Sequence, residues 1–177
     1  MRDERDSKKN KLLILILLLI TLSAVAVCIW AVFFRDPDII LAPDYAPPET
    51  EEYAQPIPDD STDKMQSEEG GGSVNITYSN QVDISLTEEK AYLMFANPGR
   101  SNQNMVLHIV IQDEVIVQSG VIEPGFRINE IKLLDGAGQK LSVGGYDGSF
   151  EVYYYNPDSN EKAVVNTVIP VRVQVHE

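Results

Sequence analysis

The chain has 177 residues and a net charge of −13. That acidic balance excludes nucleic acid as a partner, because phosphate contacts need clustered Lys or Arg. Its one cysteine, Cys28, excludes an internal disulfide, and the charge is uneven: +2 over residues 1–34, −9 over 35–72 and −6 over 73–177.

Residues 1–11 form a basic tail with Arg2, Arg5, Lys8, Lys9 and Lys11. Leu12 to Phe34 is then an uncharged run of 23 residues, 16 of them Leu, Ile, Val or Phe. A helix of that length reaches ~34 Å and spans a hydrocarbon core of ~30 Å. The spacing therefore predicts a transmembrane helix over 12–34. The basic side precedes it, while Asp36 and Asp38 follow Arg35, so the positive-inside rule puts the N-terminus in the cytoplasm and the remainder outside. Ala24-Val25-Ala26 matches a signal-peptidase site, but cutting there would leave an apolar stub, and the run exceeds the ~7–15 residues of a signal peptide. Val27 is too bulky for a lipoprotein box at Cys28. An uncleaved signal-anchor of a cell-membrane protein is expected.

Residues 35–72 hold Pro37, Pro43, Pro47, Pro48, Pro56 and Pro58 and end in an acidic, glycine-rich stretch. With like charges, few apolar residues and no periodicity, this segment reads as a disordered stalk.

Period-2 patterning takes over from Ser73 to Glu177. Val82, Ile84 and Leu86 alternate with polar residues. Strands are expected over 90–96, 105–112, 115–119, 127–133, 149–155 and 163–176. In the last, Ala163, Val165, Thr167, Ile169, Val171, Val173 and Val175 share one face, and Pro170 marks an edge or a bulge. Turns at Asn97-Pro98-Gly99, Glu123-Pro124-Gly125, Asp135-Gly136, Asp147-Gly148 and Asn156-Pro157-Asp158 separate the runs. The domain is thus expected to be all-β, an immunoglobulin-like antiparallel sandwich, with a small closed barrel as the alternative.

The order Phe95-Ala96-Asn97-Pro98-Gly99, Gln118-Ser119-Gly120, Ile122-Glu123-Pro124-Gly125 and Ile131-Lys132-Leu133, then Leu141 to Tyr146 before a tyrosine-rich strand, resembles a group of small Gram-positive proteins. Each has a membrane helix, an acidic linker and one immunoglobulin-like domain. The resemblance covers residues 90–175 and implies no activity and no functional residues. The stretch Gly136 to Gly148 departs from it by looking longer than a tight connection.

No catalytic constellation is present: two histidines, His108 and His176, no extracytoplasmic cysteine and no Gly-x-Ser-x-Gly pattern. Asp135, Asp147, Asp158 and Glu161 sit in turns where calcium ligands could converge, but plain turns require the same residues. No metal, no cofactor and no enzyme activity are expected. A surface remains. Tyr153 and Tyr155 alternate outward on their strand, and Val164 and Val168 join them if the chain folds back. This face is the expected partner-binding site. The expected function is a membrane-tethered binding or assembly module contacting another envelope or surface protein. The alternative is a carbohydrate-binding module at the cell wall, with the tyrosines as sugar platforms.

Overall fold

The computed structural model describes residues 15–23, 44–47, 49–60, 63–68 and 71–177, in two compact units, Met1–Asp38 and Ile39–Glu177.

In the first unit, residues 15–23 are helical. Thr21 donates its hydroxyl to the carbonyls of Leu17 and Leu18 at 3.1 and 2.9 Å, and Ser23 donates to Ile20 at 2.8 Å. Both hydroxyls in an apolar run are thereby satisfied by their own helix. Among the described residues no helix is long and apolar enough to cross a membrane. The basic tail, Cys28, Trp30 and the ends of the expected span 12–34 lie outside the described residues.

The second unit is almost entirely β. Its strands are β1 (Gln55–Pro56), β2 (Thr77–Tyr78), β3 (Gln81–Ser85), β4 (Lys90–Asn97), β5 (Asn104–Ile111), β6 (Glu114–Gln118), β7 (Phe126–Lys132), β8 (Gly144–Tyr155) and β9 (Lys162–His176). They form one curled sheet in the order β1-β7-β4-β3-β9-β8-β5-β6, with β2 added to β4. The alternation explains the faces. Val82 and Ile84 are buried while Gln81 and Asp83 are exposed, and Ile169, Val171, Val173 and Val175 are buried between exposed residues. Strand β3 closes the curl by pairing antiparallel with β4 on one side and parallel with β9 on the other. The expected purely antiparallel arrangement therefore has one parallel ladder. Phe95 of β4 and Phe150 of β8 meet edge to face across the interior, 6.0 Å apart at 84°. Each such fully buried side chain contributes ~1.5–3 kcal/mol.

Two expectations are corrected. The described part of the 35–72 segment is not a free stalk. Ala46 N–H donates to Asn160 O, Glu51 N–H to Val121 O and Val121 N–H to Glu49 O, at 2.8–3.0 Å, and β1 then pairs with Arg127 and Phe126 at the end of β7. Farther along, Met65 N–H donates to Arg100 O at 2.8 Å, and Asn102 accepts the Ser73 N–H at 2.7 Å. Prolines and like charges do not prevent this, because the segment folds by lending its backbone to sheet edges rather than by burying a periodic face. The glycine-rich stretch is not one long loop either. Ala137–Lys140 is a 3₁₀ turn, and Gly144, Gly145 and Gly148 lie within β8. A Cβ at Gly148 would come within 2.8 Å of Val110 O, so glycine permits the close approach of β5. Of the two readings of Pro170, the edge holds and the bulge does not: it pairs regularly with Ser149 on one side, and β3 joins the other side only from Arg172 onward. Arg172 N–H donates to Asn80 O and Lys162 N–H to Asp44 O, both at 2.8 Å. Even-numbered amide positions of β9 therefore face away from β8, and the missing donor of Pro170 falls on that outer side.

Candidate interaction surface

The outward face of β5, β8 and the first half of β9 carries the residues singled out from the sequence. Register places His108 opposite Glu151, Val106 opposite Tyr153 and Asn104 opposite Tyr155. On the other side Glu151 faces Val168, Tyr153 faces Asn166 and Tyr155 faces Lys162. The last two pairs are out of step by two residues, so β9 bulges around Val164 and Val165.

Tyr155 is not part of an exposed face. It is fully buried, which corrects the expectation of two outward tyrosines. Its alternation is as expected, but residues 44–47 and 49–51 form a strap at this end of the sheet. The strap is bonded to Lys162 at one end and to Val121 at the other. Burial, and then the charge of Asp44, raises the Tyr155 pKa.

Tyr153 is half-buried and held from three sides. Its hydroxyl donates to Glu151 Oε2 at 2.6 Å, its ring lies 4.9 Å from the His108 ring at 59°, and Lys162 Nζ sits 4.7 Å from its centroid. Burial first, then the hydrogen bond to Glu151, raises its pKa. His108 is completely buried, and neither ring nitrogen has a hydrogen-bond partner among the described residues. Burial lowers its pKa to about 4, against a smaller opposing effect of Glu151, so it is a neutral packing group near pH 7. Beside this cluster Val164 is completely exposed, Val165 and Val168 more than half so. The structure thus brings Tyr153 and Val168 together, puts Val164 at their margin and removes Tyr155.

His108 and Lys162 belong to this cluster although alternation did not select them. Only the shared parity of His108 with Val106 hinted at its place. An open cleft of about 520 Å³ adjoins, lined by Asp44, Tyr45, Glu161, Lys162, Ala163 and Val164. The turn carboxylates do not converge: Asp147 lies within β8 opposite Arg172, whereas Asp158 and Glu161 belong to the β8–β9 connection. Among the described residues no three His, Cys, Asp or Glu side chains are grouped to hold a metal ion.

No protein family's sequence profile matches the chain, and no curated protein matches it. Among solved structures it is similar to AggA, the major subunit of aggregative adherence fimbriae type I from Escherichia coli. The identity is 9% and the TM-score 0.31, over 60% of this chain and 96% of that one.

Proposed function

We propose that this protein is a membrane-tethered, extracytoplasmic module that binds or assembles with another envelope protein through the outward face of β8 and β9. One observation carries the reading: Val164 and Val168 stand exposed beside a Tyr153 ring immobilised by Glu151, His108 and Lys162. Apolar residues flanking a pre-positioned aromatic ring desolvate area at low entropic cost, which is how interface hot spots are built. Tethering and orientation rest on the apolar run 12–34 and its basic flank. The strand order, with β3 linking a β1-β7-β4 half to a β9-β8-β5-β6 half, supports an immunoglobulin-like sandwich as the finer description. The carbohydrate alternative rested on Tyr153 and Tyr155 as a pair of platforms, and burial of Tyr155 withdraws one of the two.

The test is a comparison of full-length variants in intact cells, cross-linked before solubilisation. Val164→Asp with Val168→Asp should melt like the wild type and lose the cross-linked partner, whereas Gln174→Asp should keep it. A folded double variant that retains the same partner would move the contact off this face.

A further inference from the structure

Where β3 joins β9 and β8, the outward face of the sheet holds an open groove of about 450 Å³, lined by Gln81, Asp83, Gly145, Asp147, Arg172 and Gln174. Register sets these residues in two rows across the three strands. Arg172 stands between Gln81 and Asp147, and Gln174 stands between Asp83 and Gly145. All six are exposed, while Val82 and Val173, between them in sequence, are buried. Asp147 and Tyr153 are six residues apart on β8, ~20 Å along the strand, so the groove is distinct from the tyrosine cluster.

Two features mark the groove as a place for a ligand. Arg172 and Asp147 are directly opposed in a pair that exchanges no backbone bond, because the Arg172 N–H donates to Asn80 O on the other side. Side chains of such pairs lie closest. Yet among the described residues Arg172 forms no ion pair with Asp147 or Asp83, and its guanidinium makes no hydrogen bond. Of the five polar side chains around the groove only Gln174 makes a hydrogen bond, a long one of 3.5 Å to the Val175 carbonyl. The second feature is Gly145. Its φ is not positive, and a Cβ there would meet nothing nearer than Gln174 Oε1 at 3.6 Å, an ordinary contact. Neither backbone conformation nor packing requires glycine at this position, and glycine weakens a strand. Its effect is to leave bare backbone at one end of the groove, where a ligand can approach closely.

We propose that this groove binds a neutral, hydroxyl-rich glycan. A carboxylate accepts hydroxyl protons, a guanidinium only donates, and a primary amide does both. Neighbouring hydroxyls of a sugar are each donor and acceptor, so one ring can bridge the row Gln81-Arg172-Asp147, which a purely donating or purely accepting ligand cannot. One guanidinium against two carboxylates leaves the groove at −1. An anionic polymer meets two like charges there, and a simple cation must sit beside Arg172; a neutral ligand meets neither penalty. The bonds to Asp83, Asp147 and Arg172 are charge-assisted, the stronger kind. The volume falls within the ~300–1,000 Å³ of small-ligand clefts, which suits a short oligosaccharide. Neither Tyr153 nor Tyr155 takes part, so this site is separate from the partner-binding face.

The test uses the full chain in a detergent without a sugar headgroup, titrated separately with maltotriose, cellotriose and chitotriose. Each is taken to ~10 mM, where a site with a Kd of ~1 mM is about nine-tenths filled. At least one trisaccharide should shift the backbone amide resonances of Asp83, Gly145, Asp147 and Gln174 together and leave Tyr153 and Val168 in place. Arg172→Gln should weaken that binding about tenfold or more. Gly145→Trp should abolish it while melting within a few degrees of the parent, because the added side chain enters only the groove. Val164→Asp with Val168→Asp should bind the sugar as the parent does, whatever becomes of its protein partner. No shift with any of the three sugars would overturn the proposal, and so would undiminished binding by Arg172→Gln. Shifts at these amides that follow protein concentration without sugar would give the groove to a second copy and overturn it as well.

Discussion

Glu51 Oε2 accepts a hydrogen bond from the Gly120 backbone N–H at 2.8 Å, joining residues 69 positions apart. Its other oxygen accepts the Tyr53 N–H at 3.0 Å, and the side chain is only 7% exposed. One carboxylate from an acidic run thereby pins the strap to the loop after β6. Gly120 is as necessary as the acid, because a Cβ there would stand 2.8 Å from Glu51 N and 2.9 Å from Glu49 O.

Glu51→Ala should therefore destabilise the domain by about 2–4 kcal/mol, since bonds to an ionised acceptor are worth ~1.5–3 kcal/mol each. Gly120→Ala should cost about 1–3 kcal/mol through overpacking against a rigid backbone. Urea unfolding midpoints measure both. In the wild type, chymotrypsin should spare Tyr45 and Tyr53 under native conditions and cut there once either substitution frees the strap. Equal cutting in all three proteins would mean that the strap is not held by this contact.

Register on β9 is tested by two adjacent substitutions. Val171 is buried and Arg172 exposed, so Val171→Asp should abolish folding of the domain, while Arg172→Asp should leave its thermal transition within a few degrees. An unpaired buried carboxylate costs more than the ~5–15 kcal/mol by which a typical domain is stable. Indistinguishable circular-dichroism melts would refute the register.

His108 makes stability depend on pH in a defined direction. Its folded pKa, about 4, lies below its ordinary value of 6.5. Above pH 6.5 both folded and unfolded states hold a neutral ring. As pH falls from 6.5 to 4, the unfolded chain takes up a proton that the folded one does not, and the folded state loses about 3 kcal/mol from this group. Below pH 4 no further loss comes from it. His108→Phe should flatten that part of the profile, read as the difference in urea midpoint between pH 7 and pH 4. Parallel profiles for variant and wild type would show that His108 is protonated equally in both states.

The two tyrosines should separate. Tyr155→Ser empties a fully buried site and should cost about 3–5 kcal/mol, the range for large aromatic deletions. Tyr153→Ser removes a half-buried ring and should cost less than half as much, while exposing His108 to solvent and raising its pKa toward 6.5. Calorimetry gives the first comparison and imidazole proton shifts across a pH titration the second.

Strand content was legible because a half-buried strand writes its environment in every second residue: Val82 and Ile84, or Val171, Val173 and Val175, announce their face locally. The 44–60 segment was not legible, because Glu51, Gln55 and Pro56 engage distant backbone groups and leave no periodic trace. Tyr155 shows the same limit on one side chain. Its alternation was correct and its exposure was not, because the strap that covers it lies more than a hundred residues away in sequence.

By itself, then, the sequence determined the apolar N-terminal run, the acidic balance and the inward face of most strands. These follow from composition and near-neighbour spacing. The tertiary structure alone decided that β3 pairs parallel with β9, that the strap belongs to the folded unit, that His108 is buried without a partner, and that Tyr153 stays near the surface while Tyr155 does not. Each of those depends on which segments meet after long loops close, and free energies of contact between remote segments are not encoded in any local pattern.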